Sequence, residues 1–173
     1  MNPQVEFARF LRTERGLVAC DEVDHYGCRA DVLALDTKKK QIIEYEFKDN
    51  PRDLKYSELK KSKYKIQRRA FRGCYGHVLS NDKYINKSLS VYKNPQVPHR
   101  FYFVVPRELW EKEQDYLKKQ NCGVIEYFHH IYKERQFHVV KKCIAKKTNL
   151  QKYDVAVKNM LNRLANVYVY LRH

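Results

Sequence analysis

Three ionisable residues lie on two apolar segments that the sequence predicts to be β-strands. Asp31 begins the run DVLAL, and Glu46 and Lys48 lie at the end of the run IIEYEFK. Because successive residues of a strand point to opposite faces, Glu46 and Lys48 share one face. If the two runs pair as a hairpin across the lysine-rich turn between them, Asp31 lies beside both. Two carboxylates and one ammonium group would then be close neighbours.

This arrangement suits a hard divalent cation. Mg²⁺ prefers oxygen ligands and is commonly held by one or two carboxylates together with waters and substrate phosphates. A lysine beside the ion can orient or deprotonate a water, or neutralise charge that develops on a phosphate. The alternative is an exposed amphipathic strand whose charges are a solvated face. The Asp31 strand favours a site, because both of its faces are apolar and a buried aspartate costs free energy unless it is paired or bound to metal.

The spacing of these residues, Asp31 followed by fourteen residues and then Glu46-x-Lys48, resembles the motif of the PD-(D/E)XK nuclease superfamily. Within that superfamily, the segments GCRADVLALD and EYEFKDNPRDLK are most similar to the MmcB-type DNA-repair group. The similarity covers roughly residues 3–128, without the middle insertion. Superfamily members typically have proline before the first aspartate, where this chain has Ala30. The resemblance implies a restriction-endonuclease-like core.

The resemblance also implies an activity, a cofactor and a role for each residue. The protein would be an Mg²⁺- or Mn²⁺-dependent deoxyribonuclease that hydrolyses phosphodiester bonds of DNA and leaves 5′ phosphates. Asp31 and Glu46 would hold the metal, with the backbone carbonyl of Phe47 as a third oxygen ligand. Lys48 would position the attacking water and stabilise the charge of the transition state.

Five further positions are candidates for the same site. Many superfamily members carry a glutamate on the first helix; Glu6 lies on a helical pattern, and Glu14 is the second choice. Related nucleases place a polar residue and a tyrosine one helical turn apart after the lysine, and Lys60 and Tyr64 have this i,i+4 spacing. The alternative is that these residues are ordinary polar side chains on the surfaces of helices, without a functional role. Glu22, on a neighbouring predicted strand, would be an extra ligand or a paired edge residue.

Positive charge is concentrated directly after the proposed metal ligands. The net charge is +15; residues 1–50 contain 8 Lys/Arg against 10 Asp/Glu, whereas residues 51–100 contain 13 against 3. A metal site suits the acidic segment, and holding a polyanion over that site suits the basic one. Charge runs are usually solvated faces, but this one lacks the acidic partners of a salt-bridged helix. The residues expected to contact nucleic acid are Lys60, Lys63, Arg68, Arg69 and Arg72.

The order of elements predicts an α/β fold with a mixed central β-sheet flanked by helices, in a single domain over residues 1–173. A first helix opens at Asn2 or Pro3 and ends near Gly16. Helical spacing of apolar residues predicts a C-terminal helix over about residues 151–170. Besides the two site segments, strands are expected at residues 17–23, 101–105, 122–128 and 136–143.

Three local features between these elements carry expectations of their own. Asp53 is the expected N-cap of a basic helix that follows the site. Pro106 is the expected first residue of a later helix. Residues 73–99 contain clustered Gly, Asn and Pro, which predict an irregular basic segment.

Composition indicates the cellular compartment of the protein and excludes some protein classes. An apolar run of about eighteen residues and a basic-then-apolar signal segment are both missing, so we expect an intracellular, cytoplasmic protein without membrane contact. The five cysteines include no Cys-x-x-Cys pair, which argues against a disulfide framework. Two other classes stay open: a catalytically silent nucleic-acid-binding module of the same fold, and a basic RNA-binding protein of unrelated fold. Homodimerisation and a repair, restriction or viral setting also stay open.

Overall fold

The computed structural model describes residues 2–25, 28–57, 99–120, 122–130, 133–145 and 150–170. In this part of the chain, six strands form one mixed sheet in the order β1-β2-β3-β4-β5-β6, with helices packed on both faces. The predicted α/β class is therefore confirmed. The elements are α1 (Pro3–Thr13), β1 (Val18–His25), β2 (Cys28–Asp36), β3 (Gln41–Phe47), a π-helical turn (Asp53–Ser57), β4 (Arg100–Pro106), α2 (Arg107–Lys119), β5 (Gly123–His130), β6 (Lys133–Lys141) and α3 (Leu150–Tyr170).

The first and last helices begin and end close to their expected positions. Asn2 is the N-cap of α1, because its Oδ1 accepts a hydrogen bond of 2.9 Å from the Gln4 N–H. The helix ends at Thr13, before Gly16, whose φ of +61° is the left-handed conformation that glycine adopts without steric cost. The described helices include none that is both long and apolar enough to cross a membrane.

Two expected helix starts are wrong. Pro106 is the N-cap of α2 and has extended backbone, so the helix begins at Arg107. Asp53 does not cap the turn that follows β3. Its N–H instead donates to Asn50 Oδ1 at 2.8 Å, and the Leu54 N–H donates to the Asn50 carbonyl at 3.1 Å. Asn50 therefore supplies the cap, and Asp53 lies inside the first turn.

The predicted basic helix lies mostly outside the described residues. Residues 53–57 form the π-helical turn, and the described chain resumes at His99. The expected irregular segment at 73–99 therefore also lies outside the described residues, apart from His99 itself.

The sheet combines antiparallel and parallel pairing. Strands β1, β2 and β3 pair antiparallel in sequence order, β3, β4 and β5 pair parallel, and β6 adds antiparallel to β5. Parallel strands are normally covered on both faces, and the central residues Phe103, Val104 and Val105 of β4 are all buried. The carboxyl ends of β3, β4 and β5 consequently meet at one edge of the sheet.

One face of the sheet packs against α1, and we call it the α1 face. Phe7 is fully buried there, and its ring lies 4.9 Å from Tyr45, 5.7 Å from Phe47 and 4.8 Å from Phe137, measured between centroids. Aromatic pairs at these distances add to the free energy gained from burial alone. This cluster fixes which side of β3 faces α1.

The opposite face packs against α2 and α3, and we call it the α3 face. Met160 of α3 lies with Leu33 and Ile42 in one buried cluster, and Leu109 of α2 lies with Val105 in another. Residues 32–35 of β2 and the residues of β3 alternate between the two faces, as the period of a strand requires, whereas Ala30 lies in the same cluster as Leu33. Side chains of β3 that avoid the α1 face, including the buried Glu44 and Glu46, must therefore lie on the α3 face.

A buried histidine links β3 to the start of β4 and makes stability depend on pH. His99 Nδ1 accepts a hydrogen bond of 3.0 Å from the Ile42 N–H, so the imidazole is neutral in the fold. Burial lowers the pKa of His99 below its ordinary value of 6.5. Below that value the unfolded chain binds a proton that the folded chain does not, so the free energy of unfolding should fall as the pH drops from there towards the lowered pKa.

We expect His99→Asn to reduce this loss, because asparagine Oδ1 can accept the same hydrogen bond and does not titrate. Urea denaturation of both proteins at about pH 7.5 and about pH 5 measures the difference. An equal acid loss in the variant and the wild type would show that the pH dependence comes from other groups.

Candidate active site

The pairing of β2 with β3 brings Asp31 and Glu46 together. Val32 with Tyr45 is the last pair of this antiparallel register, so one step further along the two strands Asp31 is level with Glu46. Glu46 lies on the α3 face, because its neighbours Tyr45 and Phe47 lie on the α1 face. Asp31 Oδ2 also accepts a hydrogen bond of 2.8 Å from the Phe47 N–H, which fixes the carboxylate between the strands. The expected hairpin is confirmed.

Lys48 lies beside Glu46 on the α3 face. Its N–H donates to the Val104 carbonyl at 3.0 Å, which continues the ladder between β3 and β4 past the end of the strand. Its side chain is buried, with the residue 5% exposed, and Nζ lies 3.6 Å from Glu46 Oε2. Burial of an ammonium group is costly unless anions are close. The structure therefore brings together the three residues on which the sequence-based hypothesis rests.

Asp53 is a fourth charged residue of this cluster, and sequence reasoning assigned it another role. Its Oδ2 lies 3.4 Å from Lys48 Nζ, so the ammonium lies between the carboxylates of Glu46 and Asp53. The signal that could have revealed it is the Asn50-Pro51 pair, since asparagine followed by proline is itself a strong helix start. Because Asn50 is the N-cap, Asp53 is not needed in that role.

The turn after Asp53 is attached to α2. Lys55 Nζ lies 2.6 Å from Glu113 Oε2, and the same ammonium is 5.8 Å from the centre of the Tyr116 ring. Glu113 is buried and has non-helical backbone inside α2, so the helix bends where its carboxylate meets Lys55. This contact holds the π-helical turn in place and thereby positions Asp53 against Lys48.

The segment just beyond Lys48 is also tied to the sheet. The Tyr127 hydroxyl donates to Asp49 Oδ1 at 2.9 Å, so β5 supports the chain where it leaves β3. Burial is the larger cause that raises the pKa of Tyr127, and this hydrogen bond to a carboxylate is the second. The hydroxyl therefore stays protonated and acts as a donor. Contacts from α2 and β5 therefore stabilise the chain on both sides of the cluster formed by Glu46, Lys48 and Asp53.

A second charged group lies at the same edge, on β5, β6 and the start of α2. Arg107 NH2 donates to Glu126 Oε1 at 3.0 Å, and its guanidinium carbon lies 3.5 Å from the centre of the Phe128 ring. His138 Nδ1 is 3.7 Å from the same oxygen of Glu126. We call Arg107, Glu126, Phe128 and His138 the arginine platform. Sequence analysis did not identify it, because its members become neighbours only through the pairing of β5 with β6.

The glutamates expected from helix α1 and strand β1 lie in other surroundings. Glu6 lies on the α1 face, where its Oε2 accepts a hydrogen bond of 2.9 Å from Arg135 NH1. Its role as a catalytic residue therefore stays a prediction, and the structure does not bring it onto the α3 face with Asp31. The second-choice Glu14 is the exposed C-cap residue of α1.

Glu22 lies in an ion-pair network between β1, β2 and α3. Its Oε2 is 2.7 Å from Arg29 NH2 and 3.4 Å from Arg163 NH2. Its φ of +50° is uncommon for a residue with a side chain, and it coincides with a break in the pairing of β1 with β2. Of the two roles that the sequence left open, this environment matches the paired edge residue.

The remaining candidates fall outside the described residues, and their roles stay predictions. They are Lys60, Lys63, Tyr64, Arg68, Arg69 and Arg72.

The residues at the site can supply oxygen ligands. Within the described ranges, no group of three or more His, Cys, Asp or Glu side chains is arranged to hold a metal ion. A Mg²⁺ site needs fewer, because two carboxylates, a backbone carbonyl and waters satisfy its preferred ligand set. Asp31, Glu46 and the Phe47 carbonyl provide such donors, so their chemistry fits a hard cation.

Comparison with known proteins gives the fold and not the function. Neither a family model nor a curated protein matches this chain. A solved structure that is similar is that of SPO1766, a protein of unknown function from Silicibacter pomeroyi, with a TM-score of 0.60 and 18% sequence identity. The match covers 99% of this chain and 92% of that one. The two proteins therefore share an α/β fold over nearly their whole lengths.

The Glu6–Arg135 pair gives a test that separates a structural role from a catalytic one. Both side chains are largely buried, so Glu6→Gln should lower the free energy of unfolding by on the order of 3 kcal/mol, because it removes the negative charge that pairs with the buried arginine. The double variant Glu6→Leu, Arg135→Leu should recover much of this loss. Denaturant titration measures both. Unchanged stability in Glu6→Gln would contradict the structural role.

Proposed function

We propose that this protein is a metal-dependent deoxyribonuclease whose active site is built from Asp31, Glu46 and Lys48. The observation that supports this most strongly is the burial of Lys48 beside Glu46, with the Asp31 carboxylate hydrogen-bonded to the next residue, Phe47, from the neighbouring strand. The resemblance of this motif to the PD-(D/E)XK superfamily, and of its surroundings to the MmcB-type group, supports the same assignment. The core would then be of the restriction-endonuclease type.

The buried charges favour catalysis over a silent binding module. A module that only binds DNA would gain nothing from buried carboxylates and a buried ammonium group, since contact with phosphates uses exposed lysines and arginines. Burial of Glu46 and Lys48 costs solvation free energy that their mutual attraction offsets only in part. Such costly clusters are typical of sites where the charges act on a reacting group.

Asp31 and Glu46, with the Phe47 carbonyl, would hold Mg²⁺ or Mn²⁺. When bound, the cation would act as a Lewis acid on the scissile phosphate and lower the pKa of a coordinated water. The hydrogen bond from the Phe47 N–H to Asp31 Oδ2 prevents the aspartate from rotating away from the site. Fixing a ligand in this way reduces the entropy lost when the metal and the substrate bind.

Lys48 Nζ would donate hydrogen bonds to the attacking water and to a non-bridging phosphate oxygen. Negative charge develops on the phosphate in the transition state, and an ammonium already positioned there stabilises it without reorganisation. Glu46 and Asp53 hold Nζ between them, at 3.6 and 3.4 Å, so the group is oriented before the substrate binds. Asp53 would thus position the lysine without contacting the substrate.

The proposed substrate is DNA. A net charge of +15 suits a polyanion, and the strongly basic residues 51–72 directly follow the cluster in the chain. Within this segment, Lys60, Lys63, Arg68, Arg69 and Arg72 would contact phosphates, and Lys60 with Tyr64 would face the site. DNA and not RNA is proposed because of the resemblance to DNA-repair nucleases.

Replacing a proposed metal ligand should separate cleavage from binding. We expect Asp31→Asn and Glu46→Gln each to abolish Mg²⁺-dependent cleavage and to weaken Mn²⁺ binding measured by electron paramagnetic resonance. Binding to duplex DNA should persist or tighten, because an anion that repels phosphate is removed. A gel-based cleavage assay and fluorescence anisotropy measure the two properties.

Asp36→Asn is the matched control for these variants. Asp36 lies at the far end of β2, where its Oδ1 accepts a hydrogen bond of 3.0 Å from the Lys39 N–H, and asparagine keeps that acceptor. It should cleave as the wild type does. Wild-type cleavage and Mn²⁺ binding by both Asp31→Asn and Glu46→Gln would overturn the proposed function.

A change at Lys48 should affect turnover much more than binding. We expect Lys48→Met, which keeps most of the side-chain volume, to lower the single-turnover cleavage rate by about 10²–10⁴-fold, as loss of a positioned charge-stabilising group does. Affinity for DNA in the presence of a chelator should change much less than the rate, because Lys48 would contact one phosphate among the several that the protein binds. Cleavage at the wild-type rate by a folded Lys48→Met protein would exclude the catalytic role of this lysine.

A further inference from the structure

The arginine platform presents a guanidinium that is held in place before any ligand binds. The Phe128 ring covers one face of the Arg107 side chain at 3.5 Å, and Glu126 accepts a hydrogen bond from its NH2. The Arg107 side chain nevertheless keeps 38% of its surface exposed, whereas the Glu126 side chain keeps only 10%. An arginine that is stacked and hydrogen-bonded in this way loses little conformational entropy when it binds an anion.

The guanidinium keeps donors for a further partner. A guanidinium has five N–H donors in a planar fork, and the contact with Glu126 Oε1 is made from NH2 alone. The other donors lie along the edge of the plane, because stacking on Phe128 occupies its face. A planar fork with a covered face and an exposed edge matches the geometry of a phosphate, which binds arginine through parallel N–H···O contacts.

The platform lies beside the proposed active site on the same face. Phe47 is level with Val104, so Lys48 is level with Val105, and Val105 is level with Glu126 on the next strand. Lys48 and Glu126 are therefore two strand spacings apart, or roughly 10 Å. The strand pairing that positions the catalytic lysine also positions the arginine.

We propose that Arg107 is a phosphate-binding residue that holds the backbone of the substrate strand next to the cleaved bond. This rests on the proposed function, because the deoxyribonuclease assignment is what makes the substrate a nucleic acid. A strand that crossed this edge with one phosphate at Lys48 would bring a nearby phosphate of the same strand to the platform, because the two lie only roughly 10 Å apart. The contact would be independent of sequence, since phosphates carry no base information.

The salt dependence of DNA binding tests the proposal without any cleavage. Binding of duplex DNA is measured in the presence of a chelator between about 50 and about 200 mM salt for the wild type and for Arg107→Gln. Loss of one phosphate contact should reduce the magnitude of the log–log slope by about 0.9. Affinity should fall by the same factor on duplexes of different sequence.

Lys112→Gln is the matched control, because Lys112 is an exposed lysine on the same helix and lies outside the platform. Its slope should stay close to that of the wild type. Equal slopes for Arg107→Gln and Lys112→Gln, or a loss of affinity that depends on sequence, would overturn the proposal. Should Arg107→Gln fail to fold, Phe128→Leu is the second variant, because it keeps an apolar side chain and removes the stacked ring. It should weaken binding of duplex DNA. Wild-type affinity in Phe128→Leu would contradict the role of the platform in binding.

Failure of this proposal and failure of the proposed function give different results. A wild-type protein that does not cleave DNA with Mg²⁺, but whose slope falls in Arg107→Gln, would keep the phosphate contact and lose the nuclease assignment. A protein that cleaves DNA but shows an unchanged slope in Arg107→Gln would lose only the role of Arg107.

Discussion

The antiparallel register between β2 and β3 decides which charged side chains meet in this protein. It brings Asp31 level with Glu46, one step beyond the last pair, and lets the Asp31 carboxylate accept a hydrogen bond of 2.8 Å from the Phe47 N–H. A slip by one residue would turn every side chain of a strand to the other face. The aromatic contacts of Phe7 with Tyr45 and Phe47 oppose such a slip, because they fix the α1 face of β3 and leave the other face to Glu46 and Lys48.

The sheet thereby separates stability from the proposed chemistry. The α1 face is filled by packed rings and aliphatic side chains, whereas the α3 face changes from apolar to charged towards the carboxyl ends of β3, β4 and β5. Ligands of open α/β sheets commonly bind at such an edge. Two elements outside the sheet complete the arrangement here: the turn that supplies Asp53, and the start of α2 that supplies Arg107.

Sequence reasoning predicted the part of the candidate site that depends on local pairing. Asp31, Glu46 and Lys48 belong to one hairpin, so alternation along two strands was enough to place them together. Asp53 was misassigned because a short acidic side chain before a helical segment has two plausible roles, and only the contact with Lys48 distinguishes them. The arginine platform depends on the pairing between β5 and β6, which no short-range pattern encodes, although Pro106 predicted the start of α2 to within one residue. Helical periodicity placed Glu6 on a helix but could not tell which face of the sheet that helix covers.

The most direct measurement is cleavage of defined nucleic acids by the wild-type protein, with Mg²⁺ and with a chelator in its place. Single-stranded, duplex and branched DNA and an RNA of the same sequence are incubated in parallel, and the termini of the products are analysed. Metal-dependent hydrolysis of at least one DNA substrate, with 5′ phosphates on the products, is the result that a site built from Asp31, Glu46 and Lys48 predicts. Intact DNA under all these conditions with both Mg²⁺ and Mn²⁺, from a protein that still binds it, would contradict the nuclease assignment and leave a binding module.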